Sequence, residues 1–329
     1  MMKNPHETTF QALWRQALQG SRLLMGVAAS SSLLLAVCLA MQMLDARMID
    51  GVSVWAKPAK FAASVVAGAP VLAWILWLVG PQTKGRRIMS SIFAGAFVLE
   101  LVLITMQAAR GVPSHFNVAT RFDGFVFTVM GAAITLFWLT QLWLTYKSFR
   151  HTFANRVIGW SVRWALLIAS LGAAVAFAMP QRVSPKQQEA VLAGQATTIG
   201  GHAVGVEDGG PGLPVTRWSV KGGDLRVPHF LGLHALQILP LLGWAVSRRR
   251  PRKGVRIVNG IGVAYLGLVV TTFVQAQRAR PLHAPDAVTL WLLAAVVAVA
   301  AAVLWWPRRR AELRQELRVD DHRVHDLVA

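Results

Sequence analysis

The sequence predicts an all-α, polytopic integral membrane protein with eight transmembrane helices. Of its 329 residues, 54% are hydrophobic and only 15% are charged, which is more apolar than an ordinary globular domain. The apolar residues gather in eight runs. Most runs are about 20 residues long, which at 1.5 Å per residue is enough to cross a hydrocarbon core. Basic residues follow every second run, as expected for spans of alternating direction.

An amphipathic segment precedes the first span. Five apolar residues share one face of a helix predicted over 8–19, namely Phe10, Leu13, Trp14, Ala17 and Leu18. Thr8 or Thr9 is suited to cap this helix. Residues 1–22 are therefore expected to form a cytoplasmic helix that lies on the membrane surface.

The predicted spans follow in order along the chain. They cover residues 23–44, 61–80, 88–109, 124–146, 157–179, 229–246, 255–276 and 287–306. Lipid offers the backbone no hydrogen-bond partner, so each span is expected to be a helix. Asp123 and Asp286 precede spans four and eight and are expected to cap them. Residues 307–329 are expected to form a charged cytoplasmic tail.

The net charge of +19 does not indicate a nucleic-acid-binding protein. The lysines and arginines cluster before span one and after spans two, four, six and eight. By the positive-inside rule, this pattern places both termini on the cytoplasmic side of an inner (plasma) membrane, with lipid as the partner. The single cysteine, Cys38, excludes an intrachain disulfide and a cysteine-based metal site. The oligomeric state stays open.

A repeated pattern predicts two similar halves. Residues 107–115 and 275–283 both follow Q-A-x-R-x-x-P-x-H, each where a long apolar run ends. The halves would cover 23–156 and 157–306, with a pseudo-two-fold axis along the membrane normal because each contains four spans. A Gly-rich extracytoplasmic loop over 180–228 is then an insertion in the second half. Its composition predicts turns after a short helix over 185–192.

Polar side chains concentrate at the predicted outer ends of the spans, so a functional site is expected to face outward. Four histidines there are candidate haem or metal ligands: His234, His229, His115 and His283. His234 is the strongest, because it lies about 7 Å inside span six and shares a helical face with Gln237. The alternative for His234 is a structural hydrogen bond to a neighbouring helix. Histidines in loops are more often solvated or capping than ligating.

Buried polar residues form a second group of candidates. Glu100 lies near the middle of span three, where a carboxylate either has a function or is protonated and ties helices together. Gln107 and Arg110 continue the same helical stripe. The remaining candidates of this kind are Gln237 and Gln275.

The two arginines of the repeated pattern are candidates for anion binding. Arg110 and Arg278 occupy the same position in each copy, and a guanidinium binds an anionic group in a bidentate manner. Anchoring at the membrane interface explains them equally well.

Four segments carry a resemblance to a known group of proteins. They are WAKPAKFAAS at 55–64, QAARGVPSHFN at 107–117, FDGFVF at 122–127 and GDLRVPHFLGLHALQILP at 223–240. These segments resemble a family of uncharacterised bacterial multi-pass membrane proteins, which implies the fold and no activity. The chain is also loosely similar in architecture to haem A synthases, which have eight spans in two halves and use histidine pairs as haem ligands. It departs from them because spans two, four and eight contain no interior histidine.

Three hypotheses for the function remain open. The first is a redox protein in which His234 and one of the other three histidines bind haem or a metal. The second is a carrier of a small anion or of protons, in which Arg110 and Arg278 bind the anion and Glu100 relays protons. The third is a non-catalytic assembly or sensory protein. The sequence contains no P-loop, dinucleotide-binding glycine pattern, zinc-protease motif or serine-hydrolase motif.

Overall fold

The computed structural model describes residues 9–81 and 83–305. Within them, eight helices are long and apolar enough to span a membrane, which confirms the predicted fold class. These helices are α2 (Arg22–Leu44), α3 (Ala56–Leu78), α4 (Lys84–Arg110), α5 (Arg121–Arg150), α6 (Arg156–Ala174), α8 (Arg226–Arg249), α9 (Gly254–Gln277) and α10 (Ala287–Trp305). The predicted tail over 307–329 lies outside the described residues.

Short elements complete the described chain. They are helix α1 (Phe10–Gly20), a 3-10 turn (Val175–Ala178), helix α7 (Pro185–Leu192), and strands β1 (Met48–Ile49), β2 (Val52–Ser53), β3 (Ala203–Val204) and β4 (Gly223–Asp224). Strands β1 and β2 pair antiparallel, as do β3 and β4. Many large apolar side chains on the spanning helices are exposed, among them Trp291 and Val297 on α10, and these faces imply a lipid environment.

The loops fall at two ends of the helix bundle. The long-loop end comprises residues 45–55, 111–120, 179–225 and 278–286. The basic end comprises the connections from α3 to α4, from α5 to α6 and from α8 to α9, and it also carries α1. The functional site described below belongs to the long-loop end.

Helix α1 forms where the amphipathic pattern predicts it. The Thr9 side chain caps it by accepting a hydrogen bond from the Ala12 amide at 3.2 Å. The indole of Trp74 on α3 donates to the Gln16 side chain at 2.8 Å, which fixes α1 to the bundle. Phe10 and Trp14 remain exposed on its other side. The helix therefore docks on α3 and keeps an apolar face available for lipid.

The same packing scheme occurs in both halves of the chain. In the first half, α2 packs on α3 and α4, α3 packs on α4, and α4 packs on α5. In the second half, α6 packs on α8 and α9, α8 packs on α9, and α9 packs on α10. The halves contact each other through α3 with α8 and through α5 with α6. The order of helix contacts is thus the same in both halves, and the repeat itself stays a prediction.

Helices α6 and α8 pack closely against each other. A Cβ added at Gly172 would lie 2.5 Å from the Cα of Gly232, so the two backbones touch. Glycine permits this approach because it has no side chain at the crossing. The start of α8, which carries His229, is thereby held against α6.

The cap of α5 differs from the prediction. Thr120, not Asp123, is the N-cap, and its hydroxyl oxygen accepts the Asp123 amide at 3.1 Å. The reason is that Thr120 has the extended backbone of a cap, while Asp123 lies one turn into the helix. Asp286 acts as predicted at α10, where its carboxylate accepts the Thr289 amide at 3.0 Å.

The loop over 179–225, called loop five below, folds across the long-loop end. Its helix α7 forms as predicted and begins with a capping box between Ser184 and Gln187. The Ile199 amide donates to the Phe116 carbonyl at 2.9 Å, and Asn117 forms a β-bridge with Thr198. Loop five is therefore joined by backbone hydrogen bonds to the loop between α4 and α5.

Candidate functional site

Three polar side chains from three different elements meet at the long-loop end. The Nζ of Lys57, in the first turn of α3, lies 3.1 Å from the Nδ1 of His115. The Nε2 of His115 lies 4.0 Å from the Oε2 of Glu100 on α4. The Glu100 side chain is 9% exposed and that of His115 is 27% exposed. Lys57, Glu100 and His115 are called the polar cluster below.

The loop over 111–120 carries His115 back between the helices. The ring of His115 lies 6.0 Å from that of Phe61 and 6.3 Å from that of Phe127. Phe61 and Phe127 lie five and six residues inside their helices, about 8 to 9 Å from the helix starts. This loop is therefore re-entrant. Irregular backbone at such depth is tolerated where protein surrounds it or where it lines a cavity.

Local hydrogen bonds fix the shape of the re-entrant loop. Helix α4 ends at Gly111, whose φ of 73° is left-handed and suits glycine. The Asn117 amide group donates to the Pro113 carbonyl at 3.0 Å, and its side-chain oxygen accepts the Ala119 amide at 3.0 Å. Phe116 has a φ of 61°, which is uncommon for a residue with a side chain. The segment Ser114–His115–Phe116–Asn117 thus encodes a turn that presents His115 to the bundle.

The surroundings of His115 favour a neutral imidazole. Burial, followed by the positive charge of Lys57, lowers the pKa of His115 well below its usual value. An ammonium can only donate, so the Nδ1 facing Lys57 must accept. The proton of the neutral ring therefore lies on Nε2, the nitrogen that faces Glu100. This arrangement aims an N–H at a buried carboxylate.

Glu100 is placed deep in the bundle. It lies ten residues before the end of α4 at Arg110, a distance of about 15 Å along the helix. A carboxylate at this depth is costly unless it is compensated by charge or hydrogen bonds, or is protonated. Lys57 supplies an attractive positive charge and His115 the nearest N–H. Glu100 is thus held where the gain or loss of one proton changes the charge of the site.

The two histidines of α8, His229 and His234, contact different partners. His229 Nδ1 is 2.8 Å from the Gly172 carbonyl oxygen of α6, so Nδ1 donates and Nε2 retains the lone pair. The ring of His234 lies tilted against that of Phe230, with centroids 4.1 Å apart, and lies beside Gln237.

Gln237 reaches towards α3. A Cβ added at Gly68 would lie 3.2 Å from Nε2 of Gln237, so the amide occupies the space that this glycine leaves. The Oε1 atom of Gln237 is buried without a hydrogen-bond partner among the described residues. His234 and Gln237 therefore belong to the contact between the halves.

Helices α4 and α8, which carry the candidates Glu100 and His234, are not close packing partners. Helix α4 packs on α2, α3 and α5, whereas α8 packs on α6, α9 and α3. Consequently α3, rather than α4, faces α8 across the contact between the halves. Glu100 finds its partners on α3 and on the re-entrant loop instead of on α8.

The arginine of the repeated pattern forms an ion pair in each half. Arg110 lies 2.6 Å from Asp123, and Arg278 lies 2.6 Å from Asp286. Gln107 also donates to Asp123, at 2.9 Å. Both guanidiniums, which were predicted to bind an anion, are therefore already engaged by carboxylates of the protein.

The remaining candidates, Gln275 and His283, have different surroundings from their counterparts in the first half. Gln275 donates to the Pro281 carbonyl at 2.7 Å and so closes the loop after α9. His283, the counterpart of His115 in the pattern, is exposed. Across residues 9–81 and 83–305, no group of three His, Cys, Asp or Glu side chains is arranged to hold a metal ion. The four candidate histidines do not converge on one metal centre in this part of the chain.

Lys57 and His202 belong to the site but were not predicted as site residues. Lys57 precedes a proline in the first turn of α3, and its position near a span boundary was the only signal in the sequence. His202 lies in the Gly-rich loop, and its Nδ1 is 3.0 Å from Asp208. No spacing pattern connects His202 with the polar cluster, because the folding of loop five brings it there.

Comparison of the chain with protein-family models, with curated proteins and with solved structures gives no match. The geometry of the polar cluster is therefore the basis on which a function is assigned.

Proposed function

We propose that this protein transfers protons through the polar cluster and is a membrane proton carrier. The observation that carries the proposal is the position of His115 between Lys57 and Glu100, with one ring nitrogen facing each. An imidazole placed in this way can accept a proton on one nitrogen and release one from the other. The proposal keeps the proton form of the carrier hypothesis, in which Glu100 relays protons, and adds His115 and Lys57 to the relay.

The proton path follows from the two ring nitrogens. A proton that reaches Nδ1 of His115 displaces the hydrogen bond from Lys57 and makes an imidazolium, which the ammonium destabilises by like charge. The imidazolium then releases the proton on Nε2 to the Glu100 carboxylate. The products are a neutral carboxylic acid and a neutral imidazole. The buried acid no longer carries a charge that is costly at this depth.

Protonation of Glu100 also changes the charge balance of the cluster. With Glu100 ionised, its negative charge and that of the Lys57 ammonium cancel; with Glu100 neutral, the positive charge is left alone in a medium of low dielectric. The two states therefore favour different arrangements of α3, α4 and the re-entrant loop. A difference of this kind is what couples proton binding to movement in a carrier.

The orientation of the site forms part of the proposal. The basic end carries Arg249, Arg250 and Lys253 together with other cations, which supports placing it in the cytoplasm of an inner membrane. The polar cluster and loop five would then face outward.

Proton flux into liposomes tests the proposal. The purified protein is reconstituted with a pH-sensitive dye inside, a pH gradient is imposed, and valinomycin with potassium removes the counter-potential. The unchanged protein should dissipate the gradient, and Glu100→Gln and His115→Gln should lower the flux by about 100-fold, the scale of positioned acid–base groups. Glu189→Gln and His283→Gln are matched controls, because both residues are exposed at the same end.

Two results would count against proton transfer here. One is a flux that stays at the level of the unchanged protein in Glu100→Gln. The other is a haem absorption band in the purified protein that His234→Ala removes, which would favour the redox hypothesis instead.

A further inference from the structure

A second histidine–carboxylate pair lies in loop five, above the polar cluster. Nδ1 of His202 is 3.0 Å from Oδ2 of Asp208, and the two side chains are 29% and 36% exposed. Asp208 also accepts the backbone amides of His202 and Ala203 at 2.8 and 2.7 Å. Although burial opposes it, these hydrogen bonds lower the pKa of Asp208 to about 2. Asp208 is therefore a carboxylate that holds the His202 ring in one orientation.

Three contacts fix His202 over the site. Its ring packs edge-on against that of Phe116, with centroids 5.0 Å apart. Its carbonyl oxygen accepts the amide of Leu225, immediately before α8, at 2.9 Å. Gly201, the preceding residue, donates its amide to the Met179 carbonyl at 3.0 Å. The histidine is thus anchored to the re-entrant loop, to α8 and to the end of the 3-10 turn.

His202 lies within electrostatic range of the buried histidines. Phe116, which it contacts, directly follows His115. The charge of His202 acts on His115, and it also acts on His229 of α8. The titratable groups that face His202 are thus Asp208 of its own loop, His115 of the re-entrant loop and His229 of α8. Among these histidines, His202 pairs with Asp208, a carboxylate whose side chain is 36% exposed to solvent.

We propose that His202, oriented by Asp208, is the proton acceptor through which the solution at the long-loop end exchanges protons with His115. This inference rests on the proposed function and assigns loop five a place in the proton path. A hydronium ion at the surface protonates His202 and leaves water, and the carboxylate of Asp208 balances the new charge. The imidazolium then passes that proton through water to Nδ1 of His115, where it displaces the hydrogen bond from Lys57, and becomes neutral again. His115 delivers a proton from Nε2 to Glu100.

The rate at which Glu100 becomes protonated tests the inference without any need for transport. In detergent, a rapid drop in pH should produce the infrared carbonyl stretch of a protonated carboxyl group, identified as the band that Glu100→Gln lacks. In His202→Gln this band should rise about tenfold more slowly or slower still. In Glu207→Gln, a change at the exposed carboxylate next to Asp208, it should rise as in the unchanged protein. An unchanged rate in His202→Gln would overturn the inference.

Chemical rescue separates a proton acceptor from a merely structural residue. In liposomes, His202→Ala should conduct protons at least about tenfold more slowly than the unchanged protein, and imidazole added on the long-loop side should restore the flux. Asp208→Asn should also lower the flux, because His202 loses the carboxylate that orients its ring. Slow flux that imidazole does not restore would show that His202 only holds the loop.

The two proposals fail in different ways. If Glu100→Gln abolishes proton flux and His202→Gln does not, the proposed function stands and the role of His202 is wrong. If the band of Glu100 rises more slowly in His202→Gln but the unchanged protein passes no protons, the path from His202 exists and the carrier function is wrong.

Discussion

The guanidinium of Arg110 lies 2.6 Å from the carboxylate of Asp123, where it joins the end of α4 to the first turn of α5. The pair recurs in the second half, where Arg278 lies 2.6 Å from Asp286 between α9 and α10. The two pairs differ in burial. The Asp123 side chain is 3% exposed and that of Asp286 is 19% exposed. The equivalent pairs should therefore contribute unequally to stability.

Replacement of each arginine measures that difference. Arg110→Met leaves the buried carboxylate of Asp123 without its charged partner and should lower the free energy of unfolding by about 3 kcal/mol. Arg278→Met removes a more solvent-exposed pair and should cost clearly less. Chemical unfolding in detergent measures both values. If Arg110→Met keeps full stability and loses the binding of an anion, Arg110 is an anion-binding residue after all.

The contact between α6 and α8 should not tolerate a methyl group. Gly172→Ala would place a Cβ 2.5 Å from the Cα of Gly232, and the backbones would have to separate. The expected loss of stability is about 1 to 3 kcal/mol. Gly95→Ala on α4 is the control, because a Cβ there meets no atom within 4 Å. Similar melting temperatures for the two variants would show that the helices are further apart than described.

The stability of the protein should fall below neutral pH because of His115. Burial and Lys57 lower the pKa of His115 in the folded protein, so the unfolded chain, with a pKa near the usual 6.5, binds a proton first. Stability is then complete above about pH 6.5 and declines as the pH falls below it, by up to about 1.4 kcal/mol per pH unit. His115→Gln should lose this part of the dependence, and His283→Gln should keep it. Melting temperatures from pH 7.5 to pH 5 provide the comparison.

Labelling of engineered cysteines tests the orientation. The natural Cys38 has no exposed surface and should give little background. Glu189→Cys, on α7, should react with a membrane-impermeant thiol reagent added to intact cells stripped of their wall. Lys253→Cys, at the basic end, should react only after the membrane is opened. The opposite result would place the polar cluster on the cytoplasmic side.

The sequence predicted the eight spans because hydrophobicity over 20 residues is a local property. The observed helix bounds differ from the predicted spans where polar residues extend a helix. Helix α3 begins at Ala56 rather than at 61, because Lys57 and Lys60 are part of it. The two charges led to the prediction that this turn belongs to the preceding loop. In the structure Lys57 contacts His115, and Lys60 donates to the Val215 carbonyl at 2.7 Å. Tertiary partners for these two charges cannot be predicted from local composition.

The polar cluster was only partly predictable. Glu100 and His115 were each candidates, because one is a carboxylate in a span and the other ends a repeated pattern. Their contact depends on a re-entrant loop whose turn includes a φ of 61° at Phe116, and no periodicity indicates such a turn. The matching pattern also suggested equal roles for His115 and His283, yet only His115 is carried inward. Spacing along the chain did not distinguish them.

The central claim is that Glu100 and His115 exchange a proton, and an infrared titration of Glu100 tests it most directly. The carbonyl band of the protonated acid, assigned by its absence in Glu100→Gln, is followed against pH in the purified protein. The account predicts that His115→Phe, which keeps an aromatic ring but removes both nitrogens, changes the midpoint of this titration, while His283→Phe leaves it where it is. An identical titration of Glu100 in His115→Phe and in the unchanged protein would contradict the claim.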